Sequence, residues 1–335
     1  MPTDVSLFDY ALPKAMIAQY SVSPRDHARL FVLDRKTGKT SHRRFDDIVD
    51  ELRTGDVLVF NVTKVFKARL REGKQELFLL KVRDGEAECL IRPGKKYPAG
   101  STLSFFGHDF LIATVSQQGI VIVKTCMTAD EMMGFCDIHG EVPTPPYVTS
   151  SIDDFGKYQT VYAKHVGSVA APTAGFHFTR ELLERIAAKG VQIEEVTLHV
   201  GIGTFRPVQT STIEEHVMHA EWVQIEEGVA ERIVAAKAEG RRVIAVGTTT
   251  VRALEGVVAA EGELRAFAGE INMFITPGFT FRVIDGLVTN FHLPKSTLLM
   301  LVSAFAGREN VLAAYEEAKQ LGYRFFSFGD AMFIA

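Results

Sequence analysis

The chain has 335 residues, a formal net charge of −4 and 47% hydrophobic residues, which is ordinary for a globular protein and enough for a sizeable core. This slightly acidic balance excludes a global positive field that would attract nucleic acid. The sparse cysteines Cys89, Cys126 and Cys136 form no CxxC pair and are typical of a reducing cytosol. The N-terminus predicts no signal peptide, and LLMLVSAFA is too short for a membrane span, so we expect a cytoplasmic protein without a membrane partner.

The texture of the chain changes twice along its length. Residues 1–57 contain turn signals, a strand candidate (LFVLD) and a short helix candidate (FDDIVDEL). Residues 58–147 hold short β-rich runs at roughly ten-residue intervals, which is typical of an antiparallel barrel or sandwich. After residue 150, helices and strands alternate and predict α/β layers. Because residues 1–57 are too short to form a core, we predict an α/β domain of residues 1–57 and 148–335 with an inserted antiparallel β-barrel domain of residues 58–147.

Two loops with small residues suggest ligand binding. APTAGFHFT (171–179) precedes a predicted helix with Thr179 as its N-cap, and its small residues would let a ligand reach the backbone beside His177. A plain turn with a packed histidine is an equally good reading. In LHVGIGTFRPV (198–208), Gly201 and Gly203 permit close backbone approach, although the spacing is not GxGxxG and no helix follows at once. This second loop indicates a binding loop more than a nucleotide fingerprint.

EHVMHAEW (215–222) carries a histidine pair flanked by acids. His216 and His219 stand three residues apart, with Glu215 and Glu221 beside them. A metal site is conceivable, but the motif is not HExxH and has no cysteine partner. Acid–base or positioning work by His219 and Glu221 is the favoured interpretation.

VIAVGTTTVRALE (243–255) reads as strand, turn and helix. Thr248, Thr249 and Thr250 cluster at the helix N-terminus, an end that binds carboxylates, other anions or hydroxyls. A capped helix explains one threonine well and three poorly. Arg252 and Glu255 lie about one turn apart and are expected to pair.

VTNFHLPKST (288–297) places Asn290, His292, Lys295, Ser296 and Thr297 between two apolar stretches. An unpaired polar group costs roughly 2–7 kcal/mol to bury, so these groups are either paired or functional. Elsewhere, basic residues occur in PRDHARL (24–30), KVFKARLR (64–71) and RPGKK (92–96). Most such charges are simply solvated, but together they could form a local basic face for phosphate contacts.

A series of stretches, in order along nearly the whole chain, resembles the S-adenosylmethionine:tRNA ribosyltransferase-isomerase family of queuosine biosynthesis. The stretches that carry the resemblance are PRDHARL, GEVPTPPY, QTVYA, GSVAAPTAGFHFT, HVGIGTFRPV, MHAEW, GTTTVRALE, TNFHLPKSTLLMLVSAFAG and YRFFSFGDAM. Ala28, Phe176 and Ala220 depart from the family pattern, and all three are uncharged. The resemblance implies an α/β domain with an inserted β-barrel, in agreement with the texture above.

The resemblance also implies a reaction. The ribosyl moiety of S-adenosylmethionine is transferred and isomerised onto 7-aminomethyl-7-deazaguanine at the wobble position of tRNA with a GUN anticodon, giving epoxyqueuosine-tRNA, adenine and methionine. S-adenosylmethionine is a co-substrate, and neither a metal nor a tightly bound cofactor is implied. Nothing in the sequence suggests a coiled coil or a large exposed apolar face, so we expect a monomer.

The implied chemistry assigns candidate residues. The sulfonium acidifies the C5′ protons, which calls for a general base, and adenine departure calls for a general acid, roles that histidine can fill. The candidates are therefore catalytic His177, His199, His219 and His292, with His219 and His292 preferred and Glu221 orienting a histidine; cofactor-binding Thr173, Gly201, Gly203, Thr204, Thr248, Thr249, Arg252, Asn290, Lys295 and Ser296; and RNA-binding Arg25, Asp26, Arg29, Lys95 and Lys96.

Two alternatives of other classes remain open. The first is a metal-dependent hydrolase or isomerase that acts on a small molecule through His177, His216 and His219. The second is a non-enzymatic RNA-binding module. Metal analysis separates the first from ribosyl transfer, and S-adenosylmethionine binding without RNA separates the second.

Overall fold

The structure is a computed structural model that describes residues 3–116, 119–144, 147–148, 155–201 and 208–335, without the side chain of Lys95. The strands are β1 (Arg29–Leu33), β2 (Thr40–Arg44), β3 (Val57–Asn61), β4 (Thr63–Val65), β5 (Arg69–Glu72), β6 (Gln75–Arg83), β7 (Glu86–Arg92), β8 (Thr102–Phe105), β9 (His108–Val115), β10 (Val121–Lys124), β11 (Gly140–Glu141), β12 (His165–Ser168), β13 (Gln192–Leu198), β14 (Glu221–Ile225), β15 (Val243–Val246), β16 (Phe267–Ile271), β17 (Gly286–Asn290) and β18 (Ala331–Ile334). The helices are α1 (Ile48–Glu51), α2 (Ala129–His139), α3 (Arg180–Ala188), α4 (Glu227–Ala238), α5 (Thr248–Glu261), α6 (Thr297–Ala306) and α7 (Arg308–Gln320).

The larger sheet, as far as the described residues show it, has nine strands in the order β16-β14-β13-β3-β15-β17-β18-β1-β2. Its central strands β13, β3, β15 and β17 run parallel, and the outer pairs are mostly antiparallel. All residues of β3, β15 and β17 are buried, as expected for strands covered on both faces. The protein is therefore a mixed α/β protein, which confirms the α/β part of the predicted fold class.

A second sheet is antiparallel throughout, in the order β11-β5-β6-β7-β10-β9-β8. It has its own core, which includes Leu77, Phe105, Phe110 and, from α2, Met132. Within the described residues its pairings run from β11 to β8 and none joins these two end strands. The antiparallel sheet is shown, whereas closure into an inserted barrel stays a prediction.

One strand was assigned to the wrong layer. The predicted boundary at residue 58 cuts through β3, which lies at the centre of the larger sheet between β13 and β15. The physical reason is visible in the sequence: VLVF (57–60) is a continuous apolar run rather than an alternating one, and such runs suit strands covered on both faces. The antiparallel sheet itself extends from Arg69 to Glu141, and the division into domains otherwise stays a prediction.

The carboxyl ends of β3, β13, β15 and β17 meet at one edge of the larger sheet because these strands are parallel. Helix α5 begins two residues after β15, and α6 follows β17 after a short loop. Open α/β sheets bind ligands at this edge. No single helix among the described residues is long and apolar enough to cross a membrane; α6 and α7 pass only jointly, by length and composition, with a bend of 112° between them.

Candidate active site

A narrow cleft with polar and apolar lining residues lies at the carboxyl edge of the parallel strands. It brings together segments from the four loops that the sequence singled out: 171–174, Val200, 247–249 and 289–292. Leu298 from α6 and the neighbours Phe326 and Ser327 complete its lining. Three of these segments lie at the carboxyl ends of the parallel strands β13, β15 and β17, which share one sheet edge. The segment 171–174 follows β12, which pairs with β4 in a separate two-stranded sheet, and it reaches this edge where Thr173 Oγ1 lies 3.5 Å from Asn290 Oδ1.

Two of the predicted histidines belong to this cleft region and are almost fully buried. His177 ends a 3₁₀ turn (Thr173–His177), and its Nε2 lies 3.2 Å from the amide nitrogen of Asn290. His292 lies in the cleft lining, and its Nε2 is 2.8 Å from Thr289 Oγ1. Asn290 also donates to the Phe326 carbonyl at 3.2 Å and so joins β17 to the far wall of the cleft.

Burial sets the charge of both imidazoles. It lowers the pKa of His292 to about 3, and burial together with Arg324 and Arg25 lowers the pKa of His177 to about 3. Both rings are therefore neutral near pH 7. In this state they can accept a proton or a hydrogen bond, and neither is an imidazolium acid.

The three threonines at the start of α5 divide into different tasks. Thr250 Oγ1 donates to the Val246 carbonyl at 2.7 Å and is fully buried, so it is structural. Thr249 Oγ1 accepts from the Asn61 amide at 3.2 Å, and both Thr248 and Thr249 line the cleft. The predicted grouping of hydroxyls at a helix N-terminus is therefore present for Thr248 and Thr249.

Arg252 pairs with a different acid from the one predicted. Its guanidinium forms a buried ion pair with Glu221, the first residue of β14. Glu255 instead accepts hydrogen bonds from the backbone N–H groups of residues 282–284 at 2.9–3.0 Å. The expected Arg252–Glu255 pair is wrong because β14 and the 282–284 turn, both distant in sequence, offer better partners. Glu221 also accepts from the Gly201 N–H at 3.1 Å, so it supports the second predicted binding loop.

His199 lies at the end of β13, next to the cleft residue Val200. Its ring stacks on Trp222 with centroids 5.1 Å apart and planes 16° apart, and its Nδ1 lies 2.8 Å from Thr63 Oγ1. Burial and the neighbouring His165 lower the pKa of His199 to about 4.

The histidine pair of EHVMHAEW lies outside the described cleft lining. The His216 ring contacts Phe274 edge-on at 5.3 Å, and burial followed by His219 lowers the pKa of His216. His219 is half-buried and does not line the cleft with His292, as far as its described residues show. In the described ranges, no three His, Cys, Asp or Glu side chains are placed to hold one metal ion, so His177, His216 and His219 do not form the ligand cluster of the metal-dependent alternative.

The stretch VTNFHLPKST proves to be partly structural. Ser296 is the N-cap of α6: its Oγ accepts from the Leu299 N–H at 3.2 Å and donates to the Leu293 carbonyl at 2.7 Å. Lys295 has a positive φ of 57°, and its ammonium pairs with Asp9 at 2.7 Å on the half-exposed surface. Neither side chain is among the described residues that line the cleft, whereas Asn290 and His292 are.

The predicted RNA contacts in PRDHARL already have protein partners. Arg25 donates to the Gln159 carbonyl at 2.7 Å, and Asp26 accepts from Thr179 Oγ1 at 3.0 Å. Arg29 donates to the Leu321 carbonyl at 2.7 Å and covers the Tyr323 ring at 3.7 Å. Lys96 is exposed on a turn after β7. The predicted Gly203, Thr204 and the Lys95 side chain lie outside the described residues.

Sequence reasoning missed Asn61, the last residue of β3. Its side chain is fully buried and makes hydrogen bonds of 3.0–3.2 Å to Leu198 N–H and C=O, Thr63 N–H and Thr249 Oγ1. It thereby ties β3 and β13 to the first turn of α5. The detectable signal was an amide directly after the buried run VLVF, at the carboxyl end of a strand.

The fold is that of a mixed α/β protein, with a cleft at the carboxyl edge of its parallel strands, where open α/β sheets bind ligands. The chain belongs to the queuosine biosynthesis protein family, which it matches over residues 5–334. It is 50% identical over 339 aligned residues, 98% of both chains, to the S-adenosylmethionine:tRNA ribosyltransferase-isomerase of Desulfitobacterium hafniense. It also resembles the crystal structure of S-adenosylmethionine tRNA ribosyltransferase from Thermotoga maritima, with 39% identity, coverage of 98% of this chain and 100% of that one, and a TM-score of 0.59.

Proposed function

We propose that this protein is an S-adenosylmethionine:tRNA ribosyltransferase-isomerase. It transfers and isomerises the ribosyl moiety of S-adenosylmethionine onto 7-aminomethyl-7-deazaguanine at the wobble position of tRNA with a GUN anticodon, and releases adenine and methionine. The observation that carries the proposal is 50% identity across 98% of a relative with this activity in its name. The cleft supports it because its lining combines the neutral ring of His292 with hydroxyls at a helix N-terminus.

The cleft residues suit the groups that S-adenosylmethionine presents. Thr248 and Thr249 at the N-terminus of α5 would bind the carboxylate or ribose oxygens, since that end of a helix favours negative charge. His292 would serve as the general base toward the acidified C5′ protons because it lies in the cleft lining, and its pKa would have to rise from the buried value of about 3 once the charged substrate is bound. Asn290 would hold His177 in orientation through the 3.2 Å contact with Nε2.

Binding of the tRNA requires that its wobble base enter the cleft while the flanking backbone is held at the protein surface. A base inside an anticodon loop must leave its stack to enter a pocket, and the flanking backbone is held by phosphate contacts. Among the predicted RNA-binding residues, Lys96 is exposed on the turn after β7 of the antiparallel sheet, so it is our candidate for a phosphate contact. We further propose that the antiparallel sheet forms an inserted barrel domain, and that the protein acts as a cytoplasmic monomer without a tightly bound cofactor.

The direct test is incubation of purified protein with S-adenosylmethionine, tRNA carrying the 7-aminomethyl-7-deazaguanine base, and EDTA. Adenine release measured by chromatography, together with a ribosyl mass gain on the tRNA, is the expected result. tRNA with unmodified guanine at the wobble position is the matched control and should gain no mass. Adenine without the mass gain would mean that the acceptor is wrong. Turnover only after metal is restored would favour the metal-dependent alternative.

A further inference from the structure

The imidazole of His199 is held on three sides. Trp222 stacks on one face of the ring, and Thr63 Oγ1 lies 2.8 Å from Nδ1. Gly167 packs over the ring beside Nε2, since a Cβ built there would lie 2.5 Å from Nε2, 2.7 Å from Cε1 and 2.8 Å from Cδ2. Any side chain at position 167 would therefore displace the ring. Such close support fixes the orientation of a half-buried side chain. His199 directly precedes the cleft residue Val200 and is itself not among the described residues that line the cleft.

The hydroxyl of Thr63 determines which ring nitrogen carries the proton. Thr63 is fully buried, and in the described part of the chain its Oγ1 has His199 Nδ1 as its hydrogen-bond partner. If Nδ1 carried the proton and donated to Oγ1, the buried Thr63 hydroxyl proton would have no acceptor, which is costly. If Thr63 donates to Nδ1, both groups are satisfied. The proton of the neutral ring then resides on Nε2.

Nε2 remains available to a ligand. Across the described ranges, no protein group is within hydrogen-bond distance of it, whereas Nδ1 is occupied by Thr63. The neighbouring titratable group is His165, and burial is the larger cause of the lowered pKa of His199, so the ring is neutral at pH 7. A neutral ring with Nε2–H is a hydrogen-bond donor at that atom, and it cannot take up a proton there.

We infer that Thr63 is a positioning residue that fixes His199 as its Nε2–H tautomer, and that this N–H donates a hydrogen bond to a ring nitrogen or sugar oxygen of a bound nucleoside. The inference rests on the proposed function for the identity of the nucleoside, which both S-adenosylmethionine and tRNA supply. It moves His199 from the acid–base candidates to the groups that bind and orient the substrate. Thr63 was not among the residues that the sequence singled out.

The tautomer can be measured without any activity assay. Protein with ¹⁵N-labelled histidine is examined by long-range ¹H–¹⁵N NMR at pH 7.5, and the His199 signals are assigned by their loss in His199→Gln. The expected wild-type spectrum has a protonated Nε2 and an unprotonated Nδ1. Thr63→Val, which removes the hydroxyl at nearly constant shape, should give a mixture of tautomers, and Thr63→Ser should restore the wild-type pattern. A protonated Nδ1 in the wild type, or an unchanged tautomer in Thr63→Val, would overturn the inference.

Kinetics then test whether the tautomer matters for the substrate. Thr63→Val should lower kcat/KM about tenfold, the effect of one lost hydrogen bond, while Thr63→Ser stays near wild type. The matched control is Thr160→Val, which removes another buried hydroxyl, one without a hydrogen bond in the described structure, and should leave kcat/KM unchanged. Equal losses in Thr63→Val and Thr63→Ser would contradict the inference. If neither the wild type nor any variant shows turnover, the proposed function is wrong, whereas the tautomer measured by NMR is unaffected.

Discussion

Glu221 and Arg252 form an ion pair in which each side chain is 7% exposed. The same carboxylate accepts the Gly201 N–H at 3.1 Å, so one acid joins β14, α5 and the loop after β13. Burial lowers the pKa of Arg252 to about 10, which still leaves the guanidinium charged at pH 7. A buried cation depends on its counterion, because an unpaired charge is costly in a low-dielectric interior.

Glu221→Gln should therefore lower the free energy of unfolding by about 3–5 kcal/mol, the usual effect of breaking one side of a buried pair. Urea denaturation monitored by the fluorescence of Trp222, the one tryptophan in the chain, measures the effect. Glu239→Gln is the matched control, because Glu239 pairs with Arg241 but its side chain is 62% exposed. The control should cost less than about 1 kcal/mol. Equal losses in both variants would show that the Glu221 pair has no special importance.

The threonines of α5 provide an internal comparison of binding and structure. Thr248→Val removes a hydroxyl from the cleft lining and should raise the KM for S-adenosylmethionine about two- to tenfold, since one hydrogen bond contributes roughly 0.5–1.5 kcal/mol. Thr250→Val removes the bond to the Val246 carbonyl and should lower the free energy of unfolding by about 1 kcal/mol without changing KM. Steady-state kinetics and urea denaturation on both variants are needed. A KM that rises equally in both would remove Thr248 from the binding site.

The convergence of the segments after β13, β15 and β17 was predictable, because parallel strands end at a common edge and polar residues occur at the end of each strand. The arrival of 171–174 at the same edge was not, since this segment follows β12 of a separate two-stranded sheet. The roles of Lys295 and Ser296 were not predictable, since the Asp9 partner comes from the other end of the chain and the cap depends on where α6 begins. The Arg25 and Arg29 partners are likewise backbone carbonyls far away in sequence. Local sequence patterns therefore predict helices, strands and the polar residues at their ends. They do not predict which side chains pair when the two segments are far apart in the sequence.

Acid should destabilise the protein through its buried histidines. The pKa values of His177 and His292 fall from 6.5 in the unfolded chain to about 3 in the fold, so between these values the unfolded chain binds more protons. The stability that each neutral ring contributes is therefore present above about pH 6.5 and is lost as pH falls toward 3. For each of the two histidines, the free energy of unfolding should fall by about 1.4 kcal/mol for each unit by which the pH is lowered within that window.

Urea denaturation between pH 7.5 and pH 4.5 measures this slope. In His292→Gln, the slope of the free energy of unfolding against pH should fall by the contribution of one proton, about 1.4 kcal/mol per pH unit. This change in slope does not depend on the stability of the variant at pH 7.5. His108→Gln, at an exposed position on β9, is the control for a histidine substitution as such. A wild-type slope that persists in His292→Gln would mean that His292 is protonated in the folded state.

Lys96 is the candidate contact between the antiparallel sheet and a tRNA phosphate. Its side chain is exposed, and its Nζ lies 5.6 Å from the centroid of the Tyr97 ring. If it contacts a tRNA phosphate, Lys96→Glu should weaken tRNA binding and reduce the slope of log K against log salt by about 1. Filter binding or fluorescence anisotropy at several salt concentrations gives both quantities.

Lys36→Glu is the matched control for Lys96→Glu, because Lys36 is exposed on the turn after β1 and the charge change is the same. Equal effects would indicate only the change in overall charge. Arg29→Ala should leave the salt slope unchanged and lower stability instead, because its guanidinium is held by the Leu321 carbonyl and the Tyr323 ring. If the salt slope instead depends on Arg29 and not on Lys96, the RNA contact lies on the α/β part rather than on the antiparallel sheet. Arg29 would then have to release its internal partners in order to bind RNA.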